Sequence, residues 1–104
     1  DPLWSRGLGD VYKRQVYVDD AVHPWRGQRW AHLMADTLAE LHAMAAQLGI
    51  PPRAFQNKAS GAHYDVTSEL RAQAIALGAR AISRHTDRAL VKAVIANARA
   101  QYRP

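Results

Sequence analysis

The chain has 104 residues, a net charge of +5 at pH 7 and no cysteine. This length suits one domain, and the lack of cysteine excludes disulfide bonds and thiolate zinc sites. No apolar run reaches the roughly 20 residues that span a bilayer, and no signal peptide opens the chain, so we expect a cytoplasmic protein with no membrane role. The basic charge is compatible with a nucleic-acid or phosphate ligand, and equally with a basic protein that needs only solubility.

The first 15 residues show no sustained period of 2 or 3.6. They resemble translated sequencing-adapter tails, and we expect residues 1–15 to be a non-native tail. The competing interpretation is a genuine flexible arm, in which Val11 to Val18 form an extended first strand. The sequence therefore predicts a tail over 1–15 and a single α/β domain over 16–104.

Two strands are predicted between residues 16 and 35. Val16 to Asp20 is a β-branched and aromatic run that ends in two acids, which is typical of a strand. His23 to Gly27 is rich in turn-forming residues and predicts a connection. Trp30 to Ala35 predicts a second strand, on which Trp30 and His32 share one face because strand side chains alternate.

The first predicted helix has the clearest boundaries. Thr37 and Glu40 have the spacing of a capping box, with Thr37 as the N-cap. Gly49 suits the left-handed position after the last helical turn. A short strand is then predicted at 54–56, followed by a polar loop over 57–61.

The second half of the chain predicts a second helix, glycine turn and strand, which repeats the pattern of the first helix, Gly49 and the strand at 54–56. After an extended segment at 63–66, a helix is capped by Thr67 or Ser68 and ends at Gly78. A strand at 79–83 and a last helix at 86–102 follow. The predicted fold class is α/β, in two or three layers, with a short mixed sheet of about four strands and three helices.

His63, Tyr64 and Asp65 form the strongest candidate site. In an extended segment His63 and Asp65 point the same way, with Cα atoms roughly 6.5–7 Å apart, so their side chains can converge on a metal, a phosphate or a proton. The structural alternative is that Asp65 helps to cap the following helix and His63 satisfies a backbone carbonyl.

Acidic residues lie at or near the ends of three of the predicted extended segments. Asp19 ends the first, and Asp36 and Asp65 lie where a strand leads into a helix. Acids at one sheet edge can hold Mg²⁺ or Mn²⁺. The short link between the first two strands favours an antiparallel pair, however, which places Asp36 at the opposite end from Asp19. Capping or turn formation is therefore the preferred role for Asp36, and the role of Asp19 stays open.

Other polar and aromatic residues support alternatives. His32 and His42 have no zinc-motif spacing, and His42 beside Leu38 suits a packing role. The last helix carries a basic stripe that can follow a phosphate backbone or form a solvated face. The stripe consists of Arg88, Lys92, Arg99 and Arg103. Trp25, Trp30 and Tyr64 can stack bases, but no RRM, zinc-finger or helix-turn-helix signature accompanies them.

Many of these residues also carry a family resemblance. From residue 16 to about residue 94 the sequence resembles the small bacterial and phage proteins grouped as Domain of Unknown Function 4031. The matching residues are Val16 to Asp19, Trp30 to Leu33, Asp36, Thr37, Glu40 to Ala43, Phe55, His63 to Asp65 and Ala76 to Ala79. The resemblance implies a compact domain in which Asp19, His32, His42, His63 and Asp65 matter together, without implying a reaction.

These observations lead to a phosphate-directed hypothesis: the domain binds or hydrolyses a nucleotide or nucleic acid, with a divalent metal as an optional cofactor. The predicted catalytic residues are His63, Asp65, Asp19 and His32. The predicted ligand-binding residues are Tyr64, Arg26, Arg29 and His42. His63 acts as general base or metal ligand, Asp65 orients it or shares the metal, and Arg26 or Arg29 clamps an anion. The alternatives are a non-catalytic nucleic-acid-binding module that uses the basic stripe, and a protein-interaction accessory.

Overall fold

The computed structural model describes residues 15–20, 22–58, 61–83 and 85–101. Within them lie six strands: β1 (Val16–Val18), β2 (His23–Trp25), β3 (Gln28–Ala35), β4 (Gln56–Lys58), β5 (Gly61–Thr67) and β6 (Arg80–Ala81). The helices are α1 (Leu38–Gln47), α2 (Ser68–Ala76) and α3 (Arg88–Gln101), with a short 3-10 helix at Pro52–Ala54. The proposed tail lies almost wholly outside the described residues. No helix of the described part is long and apolar enough to cross a membrane.

The strands form one mixed sheet in the order β4-β5-β3-β1-β6, and β2 pairs with β3. The β1–β6 pair is parallel and the other pairs are antiparallel. This confirms the α/β class with three helices, whereas the prediction of about four strands is two short. The two additional strands are β2, where the sequence predicts a connection, and β5, which forms at the predicted extended segment over 63–66. Strand β4 occupies part of the predicted polar loop over 57–61.

A tight turn explains why β2 forms where the sequence predicts only a connection. Arg26 and Gly27 both have positive φ, at 51° and 74°, which is the backbone of the two-residue hairpin turn that matches strand twist. Pro24 is tolerated because it lies opposite Arg29 in a short strand at the margin of the sheet. The turn-forming residues therefore mark a hairpin.

The two faces of the sheet carry different helices, because alternate strand residues point to opposite sides. One face, which includes Val18, Leu33 and Tyr64, packs against apolar residues of α1 and α2. The other face contributes Tyr17 and Met34, which pack with apolar residues of α3. The arrangement is three-layered, and α3 shares its face with the even-numbered residues of β3.

The helix starts follow the predicted caps. Thr37 Oγ1 accepts a hydrogen bond from Glu40 N–H at 3.1 Å, and Thr67 Oγ1 accepts one from Leu70 N–H at 3.2 Å. These bonds satisfy backbone donors that the first helical turn leaves unpaired. Thr67, rather than Ser68 or Asp65, is thus the N-cap of α2.

Asp36 lies at the opposite end of β1 from Asp19, as the antiparallel pairing predicts. Its backbone N–H donates to Gln15 O at 3.0 Å, and its Oδ2 accepts from Gln15 N–H at 3.0 Å and from the Tyr17 hydroxyl at 3.3 Å. Burial, followed by the charge and hydrogen bond of Asp36, raises the pKa of Tyr17 above its usual value near 10. Asp36 therefore has a structural role beside Tyr17.

This raised pKa predicts a loss of stability in alkali. Above about pH 10 the unfolded chain loses the Tyr17 proton while the folded chain keeps it, so the free energy of unfolding falls until folded Tyr17 also ionises. We expect Tyr17→Phe to make that decline less steep between about pH 9 and pH 11. Urea unfolding across this range measures it, and parallel pH dependences for the two proteins would contradict it.

Candidate functional site

Five ionisable side chains gather on the sheet face that α3 partly covers, and we call them the His/Asp cluster. They are Asp19, His23, His32, His63 and Asp65. Strand register brings them together: His32 lies opposite Asp65 in the β3–β5 pair, and Asp19 N–H donates to His32 O at 3.2 Å just beyond the end of β1. His63 precedes Asp65 by two residues on β5 and therefore shares its face.

Asp19 holds His32 in one orientation. The Asp19 carboxyl is almost fully buried, and its Oδ1 accepts a hydrogen bond from His32 N–H at 2.6 Å. Its Oδ2 lies 2.7 Å from His32 Nδ1. Because a carboxylate only accepts hydrogen bonds, this contact places the imidazole proton on Nδ1. Neutral His32 then presents a lone pair on Nε2.

The carboxyl of Asp65 lies between two imidazoles. Its Oδ1 is 3.4 Å from His63 Nε2 and 3.9 Å from His32 Nε2. Its Oδ2 accepts a hydrogen bond from Gln56 Nε2 at 2.6 Å. The Asp65 side chain is 41% exposed, whereas those of His32 and His63 are 19% and 10% exposed. Asp65 is therefore the most exposed of the three side chains.

Among the described residues, two groups of three have the compactness of a metal site, with ligand atoms within 4.8 Å of one another. Tetrahedral ligands at about 2.0–2.2 Å from an ion lie about 3.3–3.5 Å apart, close to the contacts that Asp65 makes with His32 and His63. In the other group, Asp19 and His23 join His32, but both Asp19 oxygens already accept hydrogen bonds from His32. The group of His32, His63 and Asp65 keeps those bonds intact.

His23 belongs to the cluster although the sequence did not mark it as a site residue. Its ring meets the His32 ring edge to face, with centroids 4.8 Å apart, and His32 meets His63 in the same way at 4.9 Å. His23 is exposed and lies opposite Trp30 in the β2–β3 pair. Only recognition of the β2–β3 hairpin would have placed it beside His32.

Two further contacts were also absent from the sequence interpretation. Gln56 comes from β4 to hold Asp65, and the Arg71 Nε–H of α2 donates to Asp19 O at 2.7 Å. The Gln56 contact depends on the pairing of β4 with β5, and the Arg71 contact joins segments 52 residues apart, so no local motif signals either of them.

Tyr64 and His42 lie away from the cluster. Tyr64 sits between His63 and Asp65, so strand alternation turns its ring to the opposite face, where it is buried. There its hydroxyl is 2.7 Å from His42 Nδ1, and both rings pack against Phe55. Burial raises the pKa of Tyr64. Tyr64 and His42, two of the four predicted ligand-binding residues, thus form a separate contact between the sheet and α1.

The predicted cationic residues are dispersed. Arg26 stacks on the Trp25 ring at the tip of the β2–β3 hairpin, with its guanidinium carbon 4.5 Å from the ring centroid. Arg29 is exposed and alternates with Trp30, so it points away from the cluster face. Arg88 and Lys92 are exposed on α3. The Arg99 side chain and Arg103 lie outside the described part of the chain.

Comparison with known proteins gives a family but no activity. No curated protein and no solved structure matches this chain. The model of the family described as "Protein of unknown function (DUF4031)" matches residues 16–94, a range that contains the whole His/Asp cluster. Because the match covers well over half of the 104 residues, this chain belongs to the DUF4031 family.

Proposed function

We propose that His32, His63 and Asp65 bind one divalent metal ion, and that the protein uses this ion to hydrolyse a phosphate ester in a nucleotide or nucleic acid. The observation that carries this proposal is the convergence of His32 Nε2 and His63 Nε2 on Asp65 Oδ1, at 3.9 and 3.4 Å. Two imidazoles and one carboxylate are a common ligand set for catalytic divalent metals, and they leave positions for water and substrate.

The surrounding hydrogen bonds support a metal site. Metal-bound histidines usually donate their second ring N–H to a carboxylate or carbonyl, and metal-bound carboxylates are themselves hydrogen-bonded. Asp19 provides the first feature for His32, and Gln56 provides the second for Asp65. Both supporting groups leave the proposed ligand atoms facing one another.

A phosphate ester suits the charges near the cluster. The chain carries a net charge of +5, and Arg71 is fixed beside Asp19. A bound divalent ion neutralises a non-bridging phosphate oxygen and lowers the pKa of a bound water. These features favour an anionic substrate with a centre that water can attack.

In the proposed reaction, His32, His63 and Asp65 would hold the ion, which would make a nearby water molecule more acidic. The exposed imidazole of His23 would take one proton from that water as the water oxygen forms a bond to phosphorus. The bond from phosphorus to the ester oxygen breaks, and His23 returns the proton to the departing oxygen. A phosphodiester thereby gives an alcohol and a phosphate monoester. His23 suits this role because its ring is exposed and contacts His32 directly.

Hydrolysis of bis(p-nitrophenyl) phosphate by tag-free protein tests the function. We expect activity that disappears on chelation and returns with Zn²⁺, Mn²⁺ or Co²⁺. His63→Ala should lower the restored rate by at least about 100-fold, because the ion loses a ligand. His85→Ala, which changes an exposed histidine outside the cluster, should leave the rate within about 2-fold of the unsubstituted protein.

Two results would contradict this function: a rate that survives chelation, or a rate that His63→Ala leaves unchanged. The non-catalytic module makes a different prediction. It requires an affinity for oligonucleotides that falls steeply as the salt concentration rises. Arg88→Ala should lower this affinity, and His63→Ala should leave it unchanged.

A further inference from the structure

The β2–β3 hairpin presents an aromatic surface next to the His/Asp cluster. Trp25 is 57% exposed, its ring centroid lies 5.6 Å from that of Trp30, and the two planes are tilted by 59°. Arg26 covers one side of Trp25 at 4.5 Å. We call these three side chains the tryptophan hairpin. Large exposed aromatic side chains are costly to leave in water and often mark a binding surface.

The hairpin is held in shape before any ligand arrives. Trp30 Nε1–H donates a hydrogen bond to Trp25 O at 2.9 Å, which ties one indole to the backbone that carries the other. The positive φ angles of Arg26 and Gly27 define the tight turn between them. A preorganised aromatic surface loses little entropy on binding, which favours stacking of a flat ligand.

Register places this surface on the same side of the sheet as the proposed metal site. Trp25 and Trp30 lie opposite Gln28 and His23 in the β2–β3 pair, and Trp30 shares its face with His32, two residues further along β3. Consecutive residues on one face of a strand lie roughly 6.5–7 Å apart. A flat group stacked on the hairpin is therefore a neighbour of His23 and His32.

We infer that the tryptophan hairpin stacks an unpaired nucleobase, while the Arg26 guanidinium attracts the attached phosphate. This inference rests on the proposed function for the phosphate-directed cluster, and it specifies the substrate as a free nucleotide or a single strand. Every base has a π-face that an indole can stack on, whereas bases inside a duplex are unavailable. Arginine combines stacking on an aromatic ring with binding to phosphate.

Fluorescence anisotropy with a labelled oligothymidine of about 12 nucleotides tests the inference. Chelator-treated protein is used, so that hydrolysis does not consume the probe. We expect Trp25→Ala to weaken binding by about 10-fold or more, because one stacking contact is lost. Trp25→Phe should restore most of the affinity. Leu77→Ala, which changes an exposed apolar residue on the C-terminal side of α2, should have no effect.

The choice of ligands separates stacking from charge. An abasic strand of equal length and the corresponding duplex should both bind more weakly than oligothymidine. Competition with thymidine monophosphate distinguishes the two sources of the base: equal potency per base indicates a free nucleotide, and much weaker competition indicates a strand. Equal affinity of Trp25→Ala and the unsubstituted protein, or equal binding of the abasic strand, would overturn the inference.

Failure of this inference is distinguishable from failure of the proposed function. If the metal site has no hydrolytic role, chelator-treated protein and His63→Ala still bind oligothymidine through Trp25. If the hairpin has no stacking role, Trp25→Ala binds oligothymidine as tightly as the unsubstituted protein does, while the unsubstituted protein still hydrolyses bis(p-nitrophenyl) phosphate with metal.

Discussion

We expect His32→Ala to weaken Zn²⁺ binding by about 100-fold or more, as measured by isothermal titration of tag-free protein. His32 supplies one of the three proposed ligands, and its ring is held by the buried carboxylate of Asp19. Its removal also leaves the Asp19 Oδ2 atom without its imidazole partner. The loss of Zn²⁺ affinity in His32→Ala should therefore exceed the loss caused by a substitution at an exposed histidine.

Two matched variants decide whether the effect belongs to the proposed ligands. His85→Ala should bind Zn²⁺ with unchanged affinity, because His85 lies outside the cluster. His23→Ala should change affinity by no more than about 3-fold if the ion lies between His32, His63 and Asp65. A large loss in His23→Ala with little loss in His63→Ala would instead assign the ion to the group that contains Asp19.

The second large effect is expected for Asp19→Asn. The amide oxygen can still accept the hydrogen bond from His32 N–H, but the amide nitrogen then faces His32 Nδ1 and must donate to it. This moves the imidazole proton to Nε2 and removes the lone pair that a metal needs. We expect Zn²⁺ affinity to fall by about 10–100-fold, while the free energy of unfolding falls by only about 1–2 kcal/mol.

Asp20→Asn provides the matched control, since Asp20 is the exposed neighbour of Asp19. It removes the same charge from the chain one residue away and should leave both metal affinity and stability nearly unchanged. Asp19→Ala should cost more stability than Asp19→Asn, because it leaves two His32 donors without a buried acceptor. Unchanged Zn²⁺ affinity in Asp19→Asn would show that Asp19 does not orient a ligand.

Local signals predicted the helices and the pair of residues on β5. Thr37 and Thr67 cap α1 and α2, and the two-residue period of a strand was enough to align His63 with Asp65. The short link after β1 correctly predicted an antiparallel neighbour and hence the position of Asp36. Each of these features depends on residues that are close in sequence.

The remaining parts of the site depend on which strands pair and on the register of each pair. Asp19 meets His32 through the β1–β3 register, and Gln56 reaches Asp65 through the β4–β5 hairpin. His23 was missed because Pro24 and Gly27 indicated a connection, although the same residues form a hairpin. The alternation that aligns His63 with Asp65 also turns Tyr64 to the opposite face of the sheet. His42 contacts the Tyr64 hydroxyl there and is therefore also away from the cluster.

The most direct measurement is anomalous X-ray diffraction, at the zinc absorption edge, from crystals of the unsubstituted protein grown with Zn²⁺. We expect one strong peak about 2.0–2.2 Å from His32 Nε2, His63 Nε2 and Asp65 Oδ1, with His32 Nδ1 still hydrogen-bonded to Asp19. The absence of a peak between these three side chains, or a peak bound by Asp19 and His23 instead, would contradict it.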